Sequence, residues 1–198
     1  MPDSRHFFVG LDVGQSRDYS ALAVLDRPAS SHRPAYALRH LQRFRLGTPY
    51  PQVVQAVVRL LETPALSGAF LAVDRTGVGR AVVDLLAERL QGRADCRLVA
   101  VTITGGNAAK AGDGGASVPK RALVGALQAL LGTGRFRIAS GLAEAPTLLR
   151  ELEAFRVKLS DSGHESFEAG RAGAHDDLVL ACALAAWVGE NAPTGVTP

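Results

Sequence analysis

Three strand-like runs occupy the first 46 residues, joined by connections too short to hold a crossover helix, and this spacing constrains the fold more than any other feature. Residues 7–13 (FFVGLDV) form an apolar run closed by Gly14, residues 20–25 (SALAVL) a second, and residues 36–46 (YALRHLQRFRL) a third. Strands joined so closely pair antiparallel. In the third run Leu38, His40, Gln42, Phe44 and Leu46 alternate with Ala37, Arg39, Leu41, Arg43 and Arg45, so part of one face is polar.

The rhythm then changes. Residues 51–62 (PQVVQAVVRLLE) carry Val54, Val57, Val58 and Leu61 on one helical stripe. Residues 70–73 read as a strand ending in Asp74, TGVG opens a helix through Leu90, and residues 98–103 form another strand. That is a β-α-β unit, whose strands pair in parallel. The glycine-rich stretch 105–115 (GGNAAKAGDGG) reads as a loop, and Pro119 suits the first turn of a helix to about Leu131. A short strand at 136–139 and a helix at 145–153 follow. Residues 155–159 and 165–168 straddle Asp161-Ser162-Gly163, a hairpin signal, and a helix from about His175 to Glu190 closes the chain. The expected architecture is one α/β domain over residues 1–198. Its mixed sheet has about five strands, three antiparallel and then parallel, flanked by helices, with an extra β-hairpin before the last helix.

Composition narrows the function classes. With 47% apolar and 21% charged residues, the chain is neither a disordered tail, a collagen-like fibre nor a mucin-like stalk. A net charge of +3 permits an acidic partner without requiring one. Of the 22 basic residues only Lys110, Lys120 and Lys158 are lysines. Cys96 and Cys182 lie far apart and fit no zinc spacing, so buried reduced thiols are expected. The N-terminal MPDSRHFFVGLDVG lacks a signal-peptide core, and the longest apolar run, 178–189, is shorter than the roughly 20 residues a membrane span needs. A soluble, cytoplasmic chain without membrane contact is expected.

The chemistry concentrates in acidic residues. Asp12 and Asp74 each close an apolar strand, Asp12 sharing a face with Phe8 and Gly10, Asp74 with Phe70 and Ala72. If those strands are parallel neighbours, both carboxylates emerge at one sheet end, the usual ligand side. Each alone also reads as the start of a turn, since glycine follows closely. Asp176 and Asp177 precede LVLACALAAW and fall in the first turn of the last helix, where free N–H groups favour negative charge. One capping carboxylate would suffice there, and a second beside it is repelled unless a cation joins them. The small residues Ala181, Ala183, Ala185 and Ala186 let that helix lie close to the sheet, bringing the pair toward Asp12 and Asp74. Clustered carboxylates without cysteine or histidine clusters favour Mg²⁺ or Mn²⁺. Two such ions roughly 3.5–4 Å apart activate water and stabilise a leaving oxygen, and Asp12, central in the sheet, is the natural bridge.

The blocks VGLDVGQSRDYSALAVLD, LAVDRTGVGRAVVDLL, VPKRALVGALQALL, LLRELEAF and GAHDDLVLACALAAW, in this order, resemble the nuclease domain of tailed-phage large terminase subunits. That domain belongs to the RNase H-like, RuvC-type superfamily. The resemblance implies two-metal cleavage of double-stranded DNA during genome packaging. It places the metal-binding, catalytic aspartates on Asp12, Asp74 and Asp177, with Asp176 as a fourth. Asp18 and His175 take orienting roles behind them. It also implies a packaging ATPase domain and the phage portal as partners, in the cytoplasm of a bacterial host. The motif G-x-x-x-x-G-K-[ST] does not occur, GGNAAK being the nearest approach, so the nuclease portion alone is expected.

DNA contacts are expected to be largely electrostatic. The candidates are Arg75, Arg80, Lys110, Lys120, Arg121, Arg156, Lys158 and Arg171, with the hairpin at 155–168 and the loop at 105–115 flanking the duplex. Three alternatives stay open: a RuvC-like junction resolvase, a catalytically inactive RNase H-like DNA-binding module, and an actin/hexokinase-like phosphotransferase. The last is suggested by GLDVGQSRDYS, although the chain has little room for the second half which that fold requires.

Overall fold

The computed structural model describes residues 5–14, 18–29, 33–112, 115–161 and 175–192, without the side chains of 156–161. β1 (Arg5–Asp12), β2 (Ala21–Pro28) and β3 (Tyr36–Arg43) form the expected antiparallel meander. β4 (Ala69–Asp74) lies parallel to β1 on its other side, and β5 (Cys96–Thr104) parallel to β4. The register sets Gly10 beside Ala72 and Leu11 beside Val73, so the two strands run out together at Asp12 and Asp74.

The sheet is wider than expected. Among the described residues, β6 (Lys110–Gly112), β7 (Gly115–Pro119) and the expected short strand β8 (Phe136–Ile138) bring it to eight strands in the order β6-β7-β5-β4-β1-β2-β3-β8. β6 and the first residue of β7 come from the stretch read as a loop, and the rest of β7 from the residues just after it: the two pair antiparallel, and β7 adds to β5 in parallel. Glycine carries no side chain to register an alternating pattern, which leaves such strands without a periodic signal. β8 pairs with β3.

Alternation along the strands creates two cores. Val9, Leu11, Leu22 and Val24 face α1 (Tyr50–Leu61) and α2 (Gly79–Leu90). Phe8, Ala21, Ala23 and Leu25 face α3 (Lys120–Gly132), α4 (Ala145–Asp161) and α5 (Asp177–Asn191). α5 is buried around nearly its whole circumference, which explains its apolar composition on every side. It lies directly on β1: a Cβ at Gly10 would run into the Ala181 carbonyl and stand 2.9 Å from the Ala185 amide nitrogen. Gly77 adopts φ +57° in the turn after β4, and a Cβ on Gly79 would strike the Asp74 carbonyl. TGVG is therefore a tight strand-to-helix turn.

One expected element is corrected. Residues 155–159 are not a hairpin strand but part of α4, and Phe155 is buried in the α5-side core. The apolar stripe Leu148, Leu152, Phe155 keeps helical spacing and packs inward, which outweighs the local alternation of FRVKL. The expected second strand, 165–168, lies outside the described residues. The thiols of Cys96 and Cys182 are free, but only Cys182 is fully buried; Cys96 is half-exposed. Among the described residues no helix is long and apolar enough to cross a membrane.

Candidate active site

β1, β4 and α5 deliver the acidic residues to one end of the sheet. Asp12 is the last residue of β1, on the face that α5 covers, and is only 6% exposed. Burial pushes its carboxyl well above the usual range, and the charges of Asp74, Asp177 and Asp176 raise it further; Lys120 opposes them. Asp74 ends β4, and its Oδ1 accepts a hydrogen bond from the Thr76 amide at 2.8 Å. Its pKa is also raised by burial, against the pull of the Thr76 hydrogen bonds and of Lys120.

At the start of α5 the expected capping role is filled from elsewhere. Asp176 occupies the N-cap position without a side-chain cap hydrogen bond, and Asp177 is the first helical residue. The amides of Leu178 and Val179 instead donate to Glu151 Oε2 at 3.0 and 3.1 Å. Glu151 projects from α4 and is buried, and its Oε1 pairs with Arg43 of β3. Asp176 accepts from Lys120 Nζ at 2.9 Å. Asp177 is 4% exposed, and burial raises its pKa against the attraction of Arg43 and His175. Its Oδ2 is buried without a hydrogen-bond donor among the described residues; Arg43 Nη2 stands 3.5 Å away and His175 Nδ1 3.8 Å. Arg43 also stacks over Tyr19, 4.7 Å from the ring centre, and Tyr19 meets His175 edge-on at 4.8 Å.

Asp12, Asp74, Asp176 and Asp177 thus come together as expected, with His175 beside them. Asp18 does not join them: it is exposed and lines a hollow with Gly14, Ser20, Arg45, Thr48 and Tyr50. Lys120 turns into the carboxylate group, because β7 passes into α3 without a loop and sets it at the helix start. Arg75 reaches Thr102 at 3.3 Å, and Arg121 donates to the Asn107 carbonyl at 3.0 Å. Arg80 and Lys110 are exposed. Arg156 and Lys158 fall on the helical backbone of α4, their side chains outside the described set, and Arg171 lies outside the described residues altogether.

Glu151 and Arg43 are the residues that sequence reasoning missed. A signal existed: Glu151 sits on the inward stripe of α4, between Leu148 and Leu152, where a carboxylate needs a partner.

Among the described residues no group of three or more His, Cys, Asp or Glu side chains is arranged so as to hold a metal ion. The chemistry of the donor set nevertheless fits a hard divalent cation. All the donors are oxygens, Asp12 is held protonation-prone by its burial and then by its neighbours' charge, and Asp177 Oδ2 is buried without a donor among the described residues.

The likeness to known proteins runs the length of this arrangement. Structures of the human cytomegalovirus terminase nuclease domain align with a TM-score of 0.58. One, Mn-soaked and inhibitor-bound, shares 13% identity over 93% of this chain and 83% of that one. Another shares 15% identity over 92% and 82%. The P22 large terminase nuclease domain aligns with a TM-score of 0.58 and 16% identity, over 98% of this chain and 86% of that one. At such identities the likeness is one of fold. No curated protein matches the sequence. The family described as the terminase RNaseH-like domain matches residues 9–186, from the middle of β1 into α5 and so across every clustered aspartate, and the chain belongs to that family.

Proposed function

We propose that the chain is a divalent-metal-dependent endonuclease that hydrolyses phosphodiester bonds of double-stranded DNA, as the nuclease part of a phage packaging terminase. The observation that carries this reading is the crowding of Asp74, Asp177 and Asp176 around the buried Asp12, with Lys120 as countercharge. Buried carboxylates in such numbers are unfavourable unless a cation joins them. Asp12, Asp74 and Asp177, with Asp176 beside them, would hold two Mg²⁺ or Mn²⁺ ions. Bound there, the ions supply an activated water and neutralise the leaving oxygen.

The chain's own residues prepare this chemistry. The Thr76 amide fixes one oxygen of Asp74 and leaves the carboxylate oriented at the strand end. Lys120 holds Asp176 and softens the repulsion felt by Asp12. His175, wedged against Tyr19, faces Asp177 and orients it. Arg75, Arg80, Lys110 and Arg121 border this end of the sheet and would contact phosphates, with Arg156, Lys158 and Arg171 from the segment before α5. Such contacts position a duplex without reading its sequence. The ATPase domain and portal are the partners this reading calls for, and the host cytoplasm its location.

Incubation with supercoiled plasmid in Mn²⁺, Mg²⁺ or EDTA tests the proposal. Nicking and linearisation are expected with metal and absent in EDTA, and Asp74→Asn should lower the rate by at least a hundredfold. A folded protein that cleaves in neither metal, or equally well in EDTA, overturns it.

A further inference from the structure

Glu151 makes two sets of contacts that meet at Asp177. Its Oε2 takes the amides of Leu178 and Val179, the free donors at the start of α5, and its Oε1 takes the Arg43 guanidinium. Arg43 stands between two carboxylates. It pairs closely with Glu151 while remaining 3.5 Å from Asp177 Oδ2, and its own Nε is buried without an acceptor among the described residues. A guanidinium so confined needs an anion, and Asp177 is the other one within reach.

Resting on the nuclease reading above, we propose that Glu151 is a positioning residue of this site: it holds Arg43 off Asp177 and caps α5 in place of the aspartates, which keeps Asp177 Oδ2 unclaimed by a hydrogen bond, as a cation ligand must be. Two observations carry it independently. Asp177 Oδ2 is buried without a hydrogen bond, and neither Asp176 nor Asp177 is consumed as a helix cap. Without the negative charge of Glu151, Arg43 would close onto Asp177 and compete with the ion for the same oxygen.

The test is Mn²⁺ binding by isothermal titration to the intact chain, without DNA, for wild type, Glu151→Gln and the double variant Glu151→Gln/Arg43→Gln. The glutamine keeps an acceptor for the two amides but loses its hold on the guanidinium. Glu151→Gln is expected to bind Mn²⁺ about tenfold more weakly, in the range found when outer partners of metal ligands are replaced. The double variant, with no guanidinium to compete, is expected to recover to within a few-fold of wild type. A merely structural role would lower thermal stability without this pattern of loss and rescue. Equal Mn²⁺ affinity in wild type and Glu151→Gln overturns the inference alone, as does a double variant as weak as, or weaker than, the single one. Wild type that takes up no Mn²⁺ overturns the nuclease reading and the inference with it. If the single variant fails to fold, the double variant still decides, since a loss of tenfold or more there means that Arg43 supports binding instead of obstructing it.

Discussion

Asp12 carries opposed demands. Its burial and three acidic neighbours favour the protonated form, whereas the proposed chemistry needs a carboxylate. A carboxyl whose pKa is raised on folding binds more protons in the native than in the unfolded state, so stability falls as pH rises. The loss begins near the ordinary value of 3.8 and continues through the raised native value. Asp12→Asn should therefore melt close to wild type near pH 4 and several degrees above it at pH 8, in EDTA, by calorimetry. The same substitution should abolish metal-dependent cleavage while DNA binding survives in a filter or mobility assay. Retained cleavage would remove Asp12 from the metal centre. Asp12 and Asp74 were legible in the sequence because each ends an apolar alternation. For Glu151 the sequence offered only its place on the inward stripe of α4; its partners come together only where α4 packs against α5.

Among the elements, α5 governs the site, because its first turn carries two of the four aspartates and its body lies against β1 without intervening side chains. Gly10→Val should push the helix away from the strand. Overpacking of this kind costs about 1–3 kcal/mol or more. For a chain of this size that is a fall in Tm of roughly 3–10 °C, and Mn²⁺ affinity should fall with it as Asp177 moves away from Asp12. An unchanged Tm would mean that the close contact is not maintained in solution. The placement of α5 on the sheet was foreseeable from its small residues. The extent of α4 was not, because FRVKL satisfies strand and helix periods alike and burial of Phe155 decides between them. The β6–β7 pair was hidden for a different reason: its glycines carry no pattern.

At the scale of the whole molecule, the described residues form an eight-stranded sheet between two cores, with more carboxylates than cations gathered at one end of its central strands. Divalent cations should act on it as ligands of the native state. At a hundred times its dissociation constant an ion adds about 2.7 kcal/mol, equivalent to roughly 5–10 °C in Tm. That rise should be large at pH 8 and small at pH 5, where protons compete for Asp12, Asp74 and Asp177, and differential scanning fluorimetry in Mn²⁺ would record it. The antiparallel-then-parallel order was readable from connection lengths, and β8 as a short strand, but the pairing of β8 with β3 and of β6 and β7 at the other edge is long-range, and local periodicity does not encode it. On the proposed reading the strand ends and α5 together form a metal centre. Its most direct test is anomalous scattering from a crystal soaked in Mn²⁺. Peaks bounded by Asp12, Asp74 and Asp177 are the predicted result, whereas ordered aspartates with no peak among them, or Mn²⁺ bound only elsewhere, would contradict it.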